Sequence, residues 1–190
     1  TITKLCKVSD HIEQAEGFIR NLMDRGYAYE VDGNVYFSTF KSVGFGELSH
    51  LSIRDLRLRR LELDPKKRDP MDIKIWQRTE ETPHWDSFLG KGRPGWPLQD
   101  VSVALTIFQN GYDIHGGAVE LIYPHHESLR SIAQALIPDR PVVMLWMHTG
   151  LLLYKGEKMS KSKGNTITVR EAVSEYGTDL LRLYLLSYHY

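Results

Sequence analysis

Segments with the pattern of β-strands alternate with segments with the pattern of α-helices from residue 72 to residue 187. The predicted strands, which are short apolar runs, are 72–76, 112–115 and 142–147. The predicted helices are 101–109, 124–136, 169–176 and 178–187. Because alternating strands and helices need crossover connections, the pattern predicts an α/β fold with a parallel sheet and helices on both of its faces.

Several boundaries of this region follow from single residues. Residues 78–97 are rich in Gly, Pro and Trp and predict a loop. The strand at 112–115 is expected to stop at Gly116 and Gly117. Pro124 suits the first turn of a helix, because that turn needs no N–H from it. The apolar, β-branched run 142–147 is typical of a central strand in a parallel sheet.

The N-terminal part predicts a helix followed by a β-hairpin. Asp10 and Glu13 have the spacing of a capping box, and apolar residues at helical spacing continue the pattern to about residue 25. Gly26 stands where a helix often ends in a left-handed glycine. Asp32 and Gly33 separate two apolar runs, which is a strong hairpin signal because both positions favour positive φ.

A basic, irregular segment covers residues 41–70, and a short helix is expected near 52–60. Its basic residues are Arg54, Arg57, Arg59, Arg60, Lys66, Lys67 and Arg68. Such a cluster is typical of a solvated surface, and the alternative is a contact with a phosphate backbone. The sequence therefore predicts a first part at 1–70 and an α/β part at 71–190.

Charge balance and cysteine content exclude some functions. The chain has 24 Lys and Arg against 24 Asp and Glu, whereas a dedicated nucleic-acid-binding domain usually has a basic excess. Cys6 is the one cysteine, which excludes an internal disulfide and makes the reducing cytoplasm the expected location.

No run approaches the ~20 apolar residues of a membrane helix, so no membrane partner is expected. Because the sequence starts at Thr1 without Met, we expect a fragment or a processed chain.

The segment 158–165 carries the clearest chemistry, and its residues are Lys158, Met159, Ser160, Lys161, Ser162, Lys163, Gly164 and Asn165. Its lysines and serines can present ammonium and hydroxyl groups to phosphate oxygens. When a nucleotide is transferred to a carboxylate, negative charge builds on the α-phosphate and on the departing pyrophosphate. Mobile lysines can stabilise that charge more strongly in the transition state than in the ground state. A lysine-rich surface turn is the alternative for this segment alone.

These motifs resemble those of the class I aminoacyl-tRNA synthetases, whose KMSKS signature is similar to residues 158–162. The stretches that resemble the cysteinyl-tRNA synthetases, in the same order, are 92–96, 113–117, 124–127, 146–150, 157–165 and 179–182. The resemblance spans essentially the whole chain. It implies the second half of a Rossmann-type parallel sheet at 71–190, with a small α+β connective insertion at 1–70. It also implies ATP-dependent activation of a small amino acid, with Mg²⁺, and aminoacyl transfer to tRNA.

The resemblance assigns roles to individual residues. The residues implied to act on the ATP phosphates are Lys158, Ser160, Lys161 and Ser162, with Lys161 the strongest candidate. The residues implied to bind the adenylate are His115, Gly116, Gly117, Glu120, His148 and Lys161, and those of the amino-acid pocket are Trp96 and His115. The alternatives are a packing indole for Trp96, a core histidine for His115 and a solvated carboxylate for Glu120.

The zinc site implied by the resemblance is altered in this chain. The family's ligands are two Cys, a His and a Glu, and the affinity of thiolate for zinc separates cysteine from serine. The corresponding positions covered here hold Asp100, His125 and Leu129, and leucine has no ligand atom. We therefore predict no metal at these residues and a hydrogen-bonding or packing role for His125 and His126.

One half of the ATP site is not found in this sequence. Class I enzymes carry a His-x-Gly-His motif, which the resemblance places upstream of Thr1, and neither that motif nor His-x-Gly-Asn occurs here. We therefore expect the fragment to be inactive alone, with tRNA bound through other regions and a companion N-terminal half as one way to complete the site. The open hypotheses are a cysteinyl-tRNA synthetase-like ligase, a divergent paralogue with another amino acid or a non-tRNA acceptor, and a non-catalytic module that binds nucleotide or a partner.

Overall fold

The computed structural model describes residues 2–58 and 64–187, which contain six α-helices and eight strands. They group into two compact units, Thr1–His115 with Glu120–Met147 and Gly116–Val119 with His148–Tyr190. None of the described helices combines the length and the apolar character that are needed to cross a bilayer. The predicted division at residue 70 concerns the family's architecture and stays a prediction.

The helix α1 (Ile12–Asp24) follows a turn of 3-10 helix instead of a capping box. The predicted cap at Asp10 is wrong, because Asp10 lies inside that turn and its N–H donates to the Lys7 carbonyl at 3.1 Å. The N-cap is His11, and no side chain caps the helix. The predicted end is confirmed, since Gly26 has the positive φ of 73° that a left-handed terminal residue requires.

The strands β1 (Ala28–Val31) and β2 (Asn34–Phe37) form the predicted hairpin. Asp32 and Gly33 make its two-residue turn, with φ values of 52° and 80°. Both positions thus have the positive φ that this turn needs, and the hairpin prediction is confirmed.

A four-stranded antiparallel sheet in the order β1-β2-β3-β4 extends this hairpin. Its other strands are β3 (Ile73–Arg78) and β4 (Gly92–Pro94). The strand predicted at 72–76 is confirmed as β3, but it belongs to this antiparallel sheet. The predicted loop over 78–97 is wrong at β4, whose backbone approaches β3 so closely that a side chain at Gly92 would collide with Trp76. The glycine therefore serves strand pairing here.

The helices α3 (Trp96–Phe108) and α4 (Glu127–Leu136) pack against each other and against α1. The helix α3 begins earlier than predicted because Pro97 occupies its first turn, where a missing N–H costs nothing. The helix α4 begins later than predicted from Pro124. Tyr123 has an extended backbone, as the residue before a proline tends to have, and so the helix cannot start there.

The core of the first unit lies between these helices and the sheet. Its largest fully buried apolar side chains are Trp76, Tyr36, Phe37, Ile19, Leu22, Leu56, Ile75, Leu98, Leu129 and Ile132. Burial of one such side chain contributes about 1.5–3 kcal/mol relative to its exposure. The helix α2 (Ile53–Leu58) confirms the short helix predicted near 52–60 and contributes Leu56 to this core.

Part of the basic cluster in residues 41–70 contacts the protein itself. Lys66 Nζ lies 2.9 Å from Asp32 Oδ2, and the Arg68 guanidinium lies 4.1 Å from the centre of the Tyr29 ring. Two residues of the cluster, Arg59 and Arg60, lie outside the described residues. Contacts of this kind are expected of a solvated charged surface.

The strands β5 (Tyr112–Ala118) and β6 (Val143–Thr149) form a separate two-stranded sheet. The helix α4 connects them, as parallel neighbours require, and this region confirms the predicted α/β pattern. The strand predicted at 142–147 corresponds to β6. The predicted stop at Gly116 and Gly117 is wrong, because neither glycine has a positive φ and β5 continues through both.

The second unit contains the hairpin strands β7 (Leu153–Tyr154) and β8 (Glu157–Lys158) and the helices α5 (Val169–Tyr176) and α6 (Thr178–Leu186). Both helices were predicted, whereas the hairpin was not. Lys155 and Gly156 form its turn, with φ values of 52° and 79°. A capping box starts α5, because Thr168 Oγ1 accepts a hydrogen bond from the Glu171 N–H and the Glu171 carboxylate accepts one from the Thr168 N–H.

The carboxylate of Asp72 links three parts of the first unit. Asp72 is 1% exposed. Its Oδ2 accepts hydrogen bonds from the Tyr29 hydroxyl at 2.6 Å and from the Asp69 N–H at 3.1 Å. Its Oδ1 accepts one from the Thr39 N–H at 3.1 Å. One buried side chain thus satisfies donors from β1, from the segment after β2 and from the segment before β3.

Substitution Asp72→Ala is expected to lower the free energy of unfolding by about 2–4 kcal/mol, because it leaves buried donors without acceptors. Chemical denaturation of the chain measures this change. The exposed Asp86 provides the control, and Asp86→Ala is expected to change the same quantity by less than about 0.5 kcal/mol. A loss below about 1 kcal/mol for Asp72→Ala would contradict the assigned role.

The carboxylate of Asp64 makes the stability of the fold depend on pH. Burial by itself raises the pKa of Asp64, but hydrogen bonds from Lys74, Tyr36 and the Lys66 N–H outweigh it and lower the pKa to about 2. Lys74 Nζ lies 2.9 Å from Asp64 Oδ2, and the Tyr36 hydroxyl donates to the same oxygen at 2.8 Å. Because the folded pKa lies below the ordinary 3.8, the ionised group stabilises the fold above that pH, and the contribution is lost as pH falls toward 2.

Substitution Asp64→Asn is therefore expected to lower the free energy of unfolding by roughly 1 kcal/mol near neutral pH, a value that allows for solvent screening. Near pH ~2.5 the difference between the variant and the original chain is expected to shrink to less than half. Denaturation curves at the two pH values measure both differences. An unchanged difference at the lower pH would show that the carboxylate charge is not the source of the effect.

Candidate active site

The helix α3 and the segment just before α4 hold a cluster around His125. Asp100 lies one turn after Trp96 on α3, so both side chains lie on the same helix face. His125 Nε2 is 2.8 Å from Asp100 Oδ2, and the His125 ring stacks on Trp96 with 3.8 Å between centroids. His125 is 5% exposed. The carboxylate and the indole therefore hold a nearly buried imidazole in one orientation.

A second cluster surrounds His115 on β5. The Tyr112 hydroxyl lies 2.8 Å from His115 Nδ1. The His115 ring contacts His126 edge-on, with 4.6 Å between centroids, and Trp146 at 4.8 Å. Sequence reasoning assigns neither Tyr112 nor Trp146 to the site. The one sequence feature that could have indicated them is their position: Tyr112 lies next to the stretch 113–117 and Trp146 lies in the stretch 146–150, both of which resemble the family.

The charge of Asp100 acts on this second cluster. Burial first, and then the negative charge of Asp100, raise the pKa of Tyr112 to about 12. Tyr112 therefore keeps its proton at neutral pH, and its hydroxyl forms a hydrogen bond with His115 Nδ1.

The candidate residues line two different pockets of the first unit. Asp100 and His115 line a pocket of about 350 Å³ together with apolar side chains of α3 and β5. Trp96, Glu120 and His125 line another pocket, also of about 350 Å³. The structure thus places Trp96 and His115, both predicted for the amino-acid pocket, on different pockets. The hydrogen bond between Asp100 and His125 links a residue of one pocket to a residue of the other.

The residues at the family's zinc positions do not fit a metal ion. Leu129 offers no ligand atom and is 1% exposed within the hydrophobic core. His125 Nε2 is already hydrogen-bonded to Asp100. Across residues 2–58 and 64–187, no three His, Cys, Asp or Glu side chains are placed so that they could hold a metal ion.

The lysine-rich loop, residues 158–165, begins at the end of β8 in the second unit. The Ser160 N–H donates to Asn165 Oδ1 at 2.8 Å, and Asn165 Nδ2 donates to the Lys158 carbonyl at 3.3 Å. Gly164 has a φ of 63°, which allows the chain to turn back toward Lys158. Asn165 thus closes the lysine-rich loop, a role that sequence reasoning misses.

The side chains of the lysine-rich loop differ in their partners. Lys163 Nζ lies 3.0 Å from Glu157 Oε2. Lys161 is exposed, and within the described part of the chain no carboxylate forms an ion pair with it. The hydroxyls of Ser160 and Ser162 lie 3.3 Å apart. The lysine-rich loop therefore presents the Lys161 ammonium and two neighbouring hydroxyls to solvent.

The remaining residues predicted for the nucleotide lie on β5 and β6. The Gly117 carbonyl accepts a hydrogen bond from Thr149 Oγ1 at 3.5 Å, and Gly116 precedes it on β5. Burial lowers the pKa of His148 on β6, so that its imidazole is neutral at neutral pH. The roles of these residues toward a nucleotide stay predictions.

Known proteins are similar to nearly the whole chain. Residues 2–190 match the family model described as tRNA synthetases class I (C) catalytic domain. Cysteine--tRNA ligases match 97% of the chain: identity is 45% for Desulforamulus reducens and Persephonella marina and 44% for Aquifex aeolicus. The chain spans about two fifths of the length of these relatives, with shares of 38%, 38% and 37%. These matches confirm the resemblance to the cysteinyl-tRNA synthetases.

A solved structure supports the fold. A Campylobacter jejuni protein, named as an arginyl-tRNA synthetase, matches with a TM-score of 0.63 and 17% identity. The match covers 100% of this chain and 34% of that chain. It confirms the predicted α/β, Rossmann-type fold. Together with the family match over residues 2–190, these findings show that the chain belongs to the family of class I (C) tRNA synthetase catalytic domains.

Proposed function

We propose that this chain supplies the nucleotide-handling part of a ligase that activates an amino acid with ATP and transfers it to tRNA. The observation that carries the proposal is the lysine-rich loop, in which Asn165 holds the backbone and Lys161 is exposed without a carboxylate partner among the described residues. The similar proteins are named cysteine--tRNA ligases, which is consistent with this chemistry.

The proposed first step joins the amino acid to AMP. A carboxylate oxygen of the amino acid attacks the α-phosphorus of ATP, and the bond from that phosphorus to the bridging oxygen of pyrophosphate breaks. The substrate carboxylate is already ionised at neutral pH, so no general base from the protein is needed. Catalysis then depends on positioning and on stabilisation of the charge that moves onto pyrophosphate. Mg²⁺ that accompanies ATP offsets part of this charge.

The lysine-rich loop has the groups that this step needs. The ammonium groups of Lys158 and Lys161 would stabilise the departing pyrophosphate, and the hydroxyls of Ser160 and Ser162 would donate to its oxygens. The bonds made by Asn165 keep these groups on one turn of backbone. We assign adenylate contacts to His115, Gly116, Gly117, Glu120 and His148, and amino-acid contacts to Trp96 and His115.

The second proposed step transfers the aminoacyl group. A terminal ribose hydroxyl of tRNA attacks the carbonyl carbon, AMP leaves, and the hydroxyl proton passes to the departing phosphate or to water. We propose that tRNA binds mainly through regions outside this chain, since its Lys and Arg only balance its Asp and Glu. A companion N-terminal half would supply the other part of the ATP site. We propose a cytoplasmic location, which is consistent with the need for tRNA and ATP.

A second candidate function keeps the chemistry and changes the amino acid or the acceptor. The observation that favours it is the pair Asp100 and Leu129 at positions where the family has metal ligands. In this structure Asp100 is hydrogen-bonded to His125, and Leu129 is part of the core. Such a divergent ligase would retain the lysine-rich loop and lack the thiolate-selective metal.

Substitution Lys161→Ala is expected to lower ATP–pyrophosphate exchange by about 100-fold, the effect of one lost transition-state donor. The measurement uses the polypeptide that carries this chain, supplemented with the His-x-Gly-His half if that half is separate. Lys155→Ala removes the same charge from the β7–β8 turn and is the control, with an expected change below about twofold. Equal exchange in the Lys161 variant and the original protein would contradict the assignment. No exchange in the original protein would favour the non-catalytic module.

Substitution Asn165→Ala is expected to lower the same exchange by about 10-fold, because the lysine-rich loop loses both bonds that close it. Asn165→Asp keeps an acceptor for the Ser160 N–H and loses the donor to the Lys158 carbonyl, so an intermediate loss is expected. The effect should lie mainly on kcat, since Asn165 positions groups that act on the departing pyrophosphate. A full rate with alanine at this position would exclude a positioning role.

A further inference from the structure

The pocket that contains Asp100 has an unusual charge pattern. Its lining residues are Cys6, Val8, Asp100, Val103, Ala104, Ile107, Phe108, Tyr112, Ile114 and His115. Asp100 is the one acidic residue of this lining, and no lysine or arginine is part of it. A carboxylate among mainly apolar side chains, with no lysine or arginine in the lining, favours a ligand that donates hydrogen bonds or carries positive charge.

The carboxylate of Asp100 retains capacity for a ligand. Its Oδ2 is bonded to His125, whereas its Oδ1 has no hydrogen-bond partner among the residues that the structure describes. A carboxylate can accept about four hydrogen bonds. The side chain of Asp100 is 35% exposed, so a molecule in the pocket can reach it.

The position of this carboxylate is fixed by its surroundings. His125 is 5% exposed and stacks on Trp96, so the imidazole cannot turn away from Asp100 without breaking that stack. The negative charge is felt inside the pocket, because it contributes to the raised pKa of Tyr112. A preorganised acceptor of this kind discriminates between ligands better than a mobile one.

The residues at the family's zinc positions do not provide the metal site through which a cysteine substrate would be recognised. The positions that carry zinc ligands in the family do not fit a metal here, since Leu129 is in the core and His125 Nε2 is bonded to Asp100. A thiol is a weak hydrogen-bond donor, so Asp100 gains little from it. Hydroxyl and ammonium groups are stronger donors to a carboxylate.

We propose that Asp100 is a specificity-determining residue and that this pocket selects an amino acid whose short side chain ends in a hydroxyl or an ammonium group. This inference rests on the proposed activation chemistry and names its substrate class. The pocket, of about 350 Å³, has room for an amino acid of this kind. Both kinds of side chain would donate a hydrogen bond to Oδ1 of Asp100, which has no hydrogen-bond partner among the described residues.

Four amino acids that differ at one terminal group test the class. ATP–pyrophosphate exchange is measured with serine, 2,3-diaminopropionate, cysteine and alanine. Serine or 2,3-diaminopropionate is expected to exceed both alanine and cysteine by about 100-fold in kcat/KM. A preference for serine identifies a hydroxyl and a preference for 2,3-diaminopropionate identifies an ammonium, and either supports the proposal.

The variant Asp100→Asn shows whether the selectivity comes from this carboxylate. It is expected to reduce the preferred substrate's advantage over alanine by about 10-fold or more. Asp86→Asn removes the same charge from an exposed loop and is the control. Calorimetric titration with the matching aminoacyl-sulfamoyl-adenosines gives a second readout that does not need turnover, and circular dichroism checks that each variant is folded.

The outcomes separate the two proposals. Selective activation of cysteine, or equal activation of alanine and the donor-bearing amino acids, would overturn the inference and leave the proposed function intact. An unchanged preference in Asp100→Asn would also overturn it. No exchange and no binding of any adenylate analogue by the original protein would overturn the inference together with the proposed activation chemistry.

Discussion

The cluster around His125 depends on one interaction, which is the packing of α3 on α4. Leu98 and Val101 of α3 and Leu129 and Ile132 of α4 are all fully or almost fully buried in one core. Burial of such side chains contributes about 1.5–3 kcal/mol each, so the two helices keep one relative position. Because that position is fixed, the polar residues at the same helix ends, among them Asp100, also have fixed positions.

The same packing accounts for the leucine at position 129, where the resemblance to the family implies a metal ligand. A side chain on the buried face of α4 must be apolar, or its charge must have a partner, since an uncompensated buried charge is costly. At position 129 a leucine meets this need by packing, and its 1% exposure shows that no open ligand position is left there. The neighbouring imidazole of His125 then takes a carboxylate as its partner. In this structure Leu129 thus packs in the core, and Asp100 and His125 form a hydrogen-bonded pair.

The features that could be predicted from sequence are those set by neighbouring residues. The turn at Asp32 and Gly33 and the end of α1 at Gly26 follow from local backbone preferences. The chemistry of the lysine-rich loop was predicted from its composition. The Lys161 ammonium is exposed, and its catalytic role stays a prediction.

The features that could not be predicted depend on residues far apart in the chain. The strand β4 exists because Gly92 meets β3, and the sequence does not show which strand a short run will pair with. The hydrogen bond between Asp100 and His125 joins α3 to the segment just before α4. Asp10 has good local cap chemistry, yet the chain enters α1 through a 3-10 turn, so tertiary context decides that end of the helix.

The central proposal is that the protein that carries this chain activates an amino acid, and that the pocket of Asp100, instead of a metal, selects which one. The most direct measurement is mass spectrometry of the adenylate that forms when the protein is given ATP, Mg²⁺ and an equal mixture of the twenty common amino acids and 2,3-diaminopropionate. The account predicts one dominant aminoacyl-adenylate, with a short hydroxyl- or amine-bearing side chain. A dominant cysteinyl-adenylate, or no adenylate of any mass, would contradict it.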